Sequence, residues 1–425
     1  MLLSGGSGER LWPISTKESP KQFLECINKN DRYISMLKNV YDLVNKLNCP
    51  VSVITGEKYV HMTKKQLGEV DCIVEPSKAS TFPAVVLGVM NAIYKKDLKE
   101  NEYIAFIPID AKVEEDFYES LFVLENKMKE LKSDIGIIGV TATKPTTAYG
   151  YIKEKNNLVE CFVEKPSLEN AKKMVEEGFL YNTGIIVVKI KYIKDIANKY
   201  INVESYEEFI AQYENLPKTS FDYEILEKEK NITCLRVNKK WMDIGNYSSL
   251  EKILDKQVVG KATSYNDHNT TIINKTKIPV ISISNKDLLI SVSDSGILVS
   301  DKKETVNLKQ YISKDIELDN NTVYRKWGYY KILNQNEKSL TKLLNIGKGK
   351  QISYQFHNYR DEAWTIIKGS GSVMINEINH EVKEGDTIYI KKQDRHIVKA
   401  NTDMEIIEVQ LGNYLSEDDI VRLEE

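Results

Sequence analysis

Between residues 33 and 47 apolar side chains recur at helical spacing, with Ile34, Leu37, Val40, Tyr41, Val44 and Leu47 on one face, so the pattern predicts an amphipathic helix. Short apolar runs at 51–55 and 72–74 read as strands, and 103–110 reads as a buried strand that ends in the carboxylate of Asp110. Residues 83–94 and 118–131 are again helical in period, and 135–141 is a further strand. Strands alternating with helices predict a mostly parallel sheet covered on both faces. Ligands of such sheets bind outside the carboxyl ends of the strands.

Beyond residue 255 the helical period disappears. Residues 256–310 carry short runs such as Thr-Thr-Ile-Ile and Pro-Val-Ile-Ser-Ile-Ser between polar turns, which predicts a small β connector, with a few turns of β-helix as one form of it. From Tyr324 onward the pattern is β throughout. The expected organisation is an α/β domain at 1–255, a β connector at 256–310 and an all-β domain at 311–425.

A chain of 425 residues suits two or three domains, and 41% hydrophobic residues supply their cores. The net charge of −3 gives no electrostatic basis for a nucleic-acid or membrane partner. No run of 18 apolar residues and no signal peptide is present, and the five cysteines are scattered without Cys-x-x-Cys spacing. Free thiols in a reducing cytoplasm are therefore expected. Histidines number only five, which gives weight to any pair at ligand spacing.

The chemistry concentrates first at the amino terminus, where Gly5, Gly6 and Gly8 follow a scrap of strand and are followed by Arg10 and Lys21. Glycines let backbone N–H groups approach a phosphate, and the two cations complete a polyphosphate site. An ordinary glycine turn is the plainer alternative. No Gly-Lys-Ser/Thr closes the loop as in a P-loop, and the third glycine comes too early for the dinucleotide fingerprint. In the carboxyl-terminal part, Gln355 and His357 alternate on one strand, Glu362 follows, and His396 lies further on. Two histidines with oxygen ligands inside a small barrel suit zinc or another divalent metal.

The glycine loop, with Leu11-Trp12-Pro13 and Pro20-Lys21-Gln22-Phe23-Leu24, resembles the signature of sugar-1-phosphate nucleotidylyltransferases, and in particular the mannose-1-phosphate guanylyltransferases. Ser4 and Glu9 depart from it, and the short leading strand suggests a start a few residues upstream. The resemblance implies a Rossmann-like nucleotidyltransferase domain that uses GTP and mannose 1-phosphate. It implies catalytic charges at Arg10 and Lys21, a Mg2+ site at Asp110 and Asp243 (Trp241-x-Asp243-x-Gly245), and base recognition around Glu75 and Ser80. A helix cap or turn residue is the lesser alternative for Asp110, whereas a plain loop residue is as good a reading of Ser80. Tyr149-Gly150-Tyr151-Ile152, Phe162-Val163-Glu164-Lys165-Pro166 and Tyr181-Asn182-Thr183-Gly184 match the family's sugar-phosphate motifs, implying that Gly150, Glu164, Lys165 and Asn182 hold the sugar phosphate. A carboxylate accepts from vicinal hydroxyls while the adjacent lysine neutralises the phosphate.

Gln355, His357, Glu362 and His396, with Gly369, Gly385-Asp386 and the run from Glu408 to Arg422, resemble the cupin of type II phosphomannose isomerases. That implies a metal-dependent exchange of mannose 6-phosphate and fructose 6-phosphate, with Arg360 as the candidate catalytic residue, and a homodimer. Asn358, Tyr359 and Ala363 replace three of the family's histidines. The alternatives are a single-function nucleotidylyltransferase, for another sugar or base, with a structural cupin, and a non-catalytic sugar-nucleotide sensor. Joint retention of Arg10, Lys21, Asp110, Lys165 and Asp243 speaks against the sensor.

Overall fold

The computed structural model describes residues 1–6, 9–29, 32–315 and 322–423, so Gly8 lies outside the described residues. The chain forms two compact units, Met1–Ser293 with Ile297–Lys314 and Asp294–Gly296 with Asp315–Glu425.

The first unit is built on a nine-stranded sheet. Leu2–Leu3 runs parallel to Ser52–Gly56 on one side and to Tyr103–Pro108 on the other, and Asp71–Glu75 extends the parallel set. Leu180–Lys189 is antiparallel to both Tyr103–Pro108 and Ile135–Thr141, while Ile232–Arg236 is parallel to Ile135–Thr141. The hairpin Tyr151–Lys155/Leu158–Val163 completes the far side. The sheet is thus parallel where strands and helices alternate and mixed beyond, where a hairpin enters the connection and no crossover is required.

Helix Thr81–Lys96 is apolar nearly all round, and Phe82, Val85, Val86, Leu87 and Val89 are fully buried in the main core. Helix Met36–Asn45 begins later than the apolar period suggests. Ser35 caps it by accepting from the Lys38 N–H (3.0 Å), and Ile34 belongs to the strand Arg32–Ser35 paired with Glu25–Lys29. An N-cap requires extended backbone at Ser35, which ends the helix there.

Five strands between residues 258 and 293 pair in parallel. Val258–Val259 pairs with Thr271–Asn274, which pairs with Leu288–Ser293, and Ala262–Tyr265 pairs with Val280–Ile283. Repeated coils of this kind are β-helical. Ile273 and Leu289 turn inward and pack with Leu11, Ile14, Met36, Ile244 and Tyr247. The Tyr247 hydroxyl donates to Ser291 Oγ (2.8 Å) and lies 3.1 and 3.0 Å from the carbonyls of Leu11 and Trp12.

The second unit is all β in its described residues from Thr322 on, apart from the short helical turn Glu417–Asp419. A six-stranded and a five-stranded sheet of antiparallel neighbours enclose a core that includes Tyr330, Leu344, Trp364, Ile366, Val398 and Ile406. Burial alternates strictly along Ser339–Ile346, as a two-residue period demands. Gly369 takes φ of +82°, and a Cβ there would lie 2.3 Å from the Asp403 carbonyl oxygen, so the turn requires glycine.

Candidate active sites

The glycine loop leaves Leu2–Leu3 at the carboxyl end of the parallel strands. Ser4 N–H donates to the Ile54 carbonyl (2.9 Å) and Gln22 Nε2 to the Ser4 carbonyl (3.2 Å), which ties the loop down on both sides. Gly5 and Gly6 line a cavity of about 560 Å3 together with Lys21, Glu75, Ser80 and Asp110. A cavity of that size suits a nucleoside.

Two carboxylates from distant sequence meet at its mouth. Trp241–Asp243 pairs antiparallel with Ala111–Val113, setting Asp243 opposite Ala111, and the Ile244 N–H donates to the Asp110 carbonyl (2.7 Å). Lys21 Nζ donates to Asp110 Oδ2 (2.8 Å) and to the Ile244 carbonyl (3.3 Å). A Cβ built on Gly245 would stand 2.6 Å from Asp243 Oδ2 and 3.7 Å from Arg10 Nη1, so Arg10 closes on the same spot. Burial and the charge of Asp110 push the Asp243 carboxyl up to about 6. Burial also works against ionisation of Asp110, but the Lys21 ammonium and its hydrogen bond bring that carboxyl below its ordinary value. Crowded, half-buried carboxylates of like charge form a place that a hard dication relieves.

Glu75 faces the other end of the cavity, where burial pushes its carboxyl up to about 7 against the opposing pull of Tyr213 and Lys78. Ser80 adopts a φ of +77° just before helix Thr81–Lys96. Gly150, Glu164, Lys165 and Asn182 form a separate cluster. The Asn182 N–H donates to the Gly150 carbonyl (2.8 Å), Glu164 pairs with Lys165, and a Cβ on Gly150 would come within 2.6 Å of Glu164 Oε2.

Sequence reasoning missed Asp222. It accepts from Asn182 Nδ2 (2.9 Å), lines the nucleotide cavity, and so joins that cavity to the Gly150–Asn182 cluster. Burial and the Glu164 charge raise its carboxyl to about 6. No local pattern in the sequence marks it, because its partner lies 40 residues away.

In the second unit Gln355, His357, Glu362 and His396 are all buried and converge from three strands, with Gln355 opposite His396 in register. The ligand atoms of His357, Glu362 and His396 lie within 4.8 Å of one another. His357 Nδ1 lies 3.2 Å from the Asp419 carbonyl and His396 Nδ1 2.9 Å from the Asp394 carbonyl. Those carbonyls fix Nδ1 as the protonated nitrogen and aim both Nε2 lone pairs inward. Neither Nε2 has a hydrogen-bond partner, yet they stand 3.0 and 3.7 Å from the Glu362 oxygens. Buried lone pairs facing a carboxylate need a cation between them, so the set fits a divalent metal.

Burial opposes ionisation of Glu362, but His357, His396 and Arg360 outweigh it and hold the carboxyl down at about 2. Arg360 Nε (3.0 Å) and Gln410 Nε2 (3.3 Å) donate to its Oε1, and Trp364 Nε1 (3.1 Å) to its Oε2. Glu408 and Gln410, from the run that carries the isomerase resemblance, and Lys342, which sequence reasoning passed over, line the cavity of about 250 Å3 that adjoins Gln355, Arg360 and Glu362. The three positions that lost histidines do not point into the metal cluster. Asn358 and Tyr359 are exposed, with Tyr359 set edge-on against Tyr414, and Ala363 alternates with the buried Glu362 and Trp364.

Comparison with known proteins places both units in known families. The family model described as Nucleotidyl transferase matches residues 1–258, and that described as Mannose-6-phosphate isomerase C-terminal matches residues 313–425. The chain is 30% identical to a mannose-1-phosphate guanylyltransferase of Salmonella montevideo, over 99% of this chain and 98% of that one. It is 26% identical to the alginate biosynthesis protein AlgA of Pseudomonas aeruginosa, over 100% and 96%. A solved structure described as a mannose-1-phosphate geranyltransferase from Thermus thermophilus shares the fold, with a TM-score of 0.63 at 23% identity, over 73% of this chain and 97% of that one. The chain therefore belongs to the nucleotidyl transferase family. Within it, it belongs with the mannose-1-phosphate guanylyltransferases that carry an isomerase-type carboxyl-terminal domain.

Proposed function

We propose that the first unit transfers the guanylyl group of GTP to mannose 1-phosphate, giving GDP-mannose and pyrophosphate. The observation that carries this reading is the convergence of Arg10, Lys21, Asp110 and Asp243 at the mouth of the glycine-loop cavity. The phosphate oxygen of mannose 1-phosphate attacks the α-phosphorus of GTP, the α–β bridging bond breaks, and pyrophosphate leaves with the bond's electron pair. Asp110 and Asp243 would hold Mg2+, which when bound neutralises charge on the triphosphate. Arg10 and Lys21 take up charge that develops in the transition state, and the glycine loop positions the phosphates. Glu75, as a carboxylate, accepts from the two adjacent donors on the guanine edge. Glu164 and Asn182 hold sugar hydroxyls and Lys165 the sugar phosphate. Pyrophosphate release from four nucleoside triphosphates against several sugar 1-phosphates tests the reading, and a stronger response to another pair than to GTP and mannose 1-phosphate refutes the specificity.

The second unit interconverts mannose 6-phosphate and fructose 6-phosphate in this reading. Gln355, His357, Glu362 and His396 would hold Zn2+ or another divalent ion, which polarises the sugar's C1 and C2 oxygens. Arg360 anchors Glu362 and stands beside the cavity as the candidate catalytic cation. The outward direction of Asn358 and Tyr359 removes the main sequence argument for a purely structural cupin.

A further inference from the structure

We propose that a second cavity of the first unit is a ligand site for a diphosphate, separate from the catalytic one. This cavity measures about 1180 Å3. Both strands of the antiparallel pair Ala111–Val113/Trp241–Asp243 line it, with the segments that follow Ile135–Thr141 and Ile232–Arg236. Arg10, Lys21, Asp110, Asp243, Glu164 and Asn182 are not among its lining residues.

Five lysines are: Lys112, Lys144, Lys239, Lys240 and Lys252. Lys239 is neutralised by Asp116, 2.8 Å away. The one acidic lining residue, Glu114, accepts from the Lys240 backbone N–H (3.2 Å). Among the described residues Lys112, Lys144, Lys240 and Lys252 form no ion pair, whereas lysines elsewhere on this unit do so repeatedly, as Lys96 with Asp71 and Lys194 with Glu100. Four unneutralised ammonium groups around one concavity repel one another and attract a multivalent anion. The wall is aromatic: the Tyr149 ring lies 5.2 Å from Tyr181 and 5.4 Å from Trp241, edge-on to both. The Trp241 indole N–H is buried and has no acceptor. A cationic rim, an aromatic wall and an unused donor match phosphates joined to a ring-bearing group.

The naming of the ligand, though not the existence of the site, rests on the reaction proposed above, both products of which carry a diphosphate: pyrophosphate and GDP-mannose. A ligand here touches the two-stranded ribbon that brings Asp110 and Asp243 together, because Lys112 lies opposite Met242 in register, next to the Ala111–Asp243 pair.

Equilibrium binding of labelled GDP-mannose and labelled pyrophosphate to the full chain tests the proposal. The wild type should bind two molecules of GDP-mannose per chain. The triple variant Lys112→Ser/Lys144→Ser/Lys240→Ser should bind one, with at least tenfold weaker affinity at the lost site, while its kcat and its KM values for GTP and mannose 1-phosphate stay within twofold. If pyrophosphate alone also fills two sites, the diphosphate suffices; if it does not, the sugar nucleotide is the ligand. One site in the wild type for both ligands, two sites retained by the variant, or a tenfold fall in its kcat would each overturn the proposal. A wild type that binds two pyrophosphates without turning over GTP and mannose 1-phosphate, with one of those sites missing in the triple variant, would sink the proposed reaction and leave the second site standing.

Discussion

Lys21 and Asp110 stand 2.8 Å apart although 89 residues separate them in the chain. The lysine sits on the side of the glycine loop and the aspartate at the end of a parallel strand, so the phosphate side and the metal side of the proposed site are joined through one ion pair. Removing the neighbouring carboxylate should expose this dependence. Asp243→Asn should keep the fold and lower kcat for GDP-mannose synthesis about 100- to 1000-fold, the usual effect of losing one transition-state charge contact. Pyrophosphate release measured across a Mg2+ titration checks it, and wild-type turnover would remove Asp243 from the metal site.

The sugar end should respond in KM. Gly150→Ala drives a methyl group to 2.6 Å from Glu164 Oε2, which must move. The KM for mannose 1-phosphate should rise about tenfold or more while the KM for GTP stays within twofold. Lys165→Ala should act in the same direction by removing the phosphate's counter-charge. Equal effects on both substrates would contradict the placement of the sugar at this cluster.

The proposed base contact should depend on pH. The Glu75 carboxyl titrates at about 7 in the folded chain because it is buried. Its raised value means that the protonated form stabilises the fold, fully so below the unfolded carboxyl's range, and that this contribution is lost as pH rises through about 7. Guanine binding needs the ionised form, so GTP affinity should rise over the same interval. Glu75→Gln should flatten both profiles between pH 5 and 8, which thermal unfolding of the ligand-free chain and the KM for GTP report separately.

At the carboxyl-terminal site, His357→Ala should lower bound divalent metal from about one per chain to a small fraction, as elemental analysis after dialysis would show. It should abolish isomerisation of mannose 6-phosphate while leaving pyrophosphate release within twofold. Asn358→His/Tyr359→His should change isomerase kcat less than about twofold, since both side chains face outward. A large gain from that double substitution would show that the missing imidazoles had worked at the metal.

Much of both sites was legible because their residues sit at strand ends or alternate on strands, where a few neighbouring letters report direction. Gly5-Gly6 follows its strand directly, and Gln355 and His357 share a face by the two-residue period. Three features were not legible. Asp222 reaches Asn182 only through tertiary folding, and nothing near it in sequence predicts that partner. Asn358 and Tyr359 interrupt the alternation together, because the chain turns there with their N–H groups donating to the Asp419 carboxylate (2.9 and 3.2 Å). The start of helix Met36–Asn45 was hidden because Ile34 continues the apolar period while lying in a strand.

The β-helical coils also bear on how the enzyme can be dissected. The match to the nucleotidyl transferase family ends at residue 258, but Ile273, Leu289 and Leu308 lie beyond it and share a core with Leu11, Ile14 and Met36. A fragment cut at that border would strip cover from the segment leaving the phosphate loop, at about 1.5–3 kcal/mol for each large apolar side chain laid bare. It would also cut away Ser291, the side-chain acceptor for the Tyr247 hydroxyl. The smallest autonomous transferase from this chain therefore runs to about residue 314, with the coils as its keel.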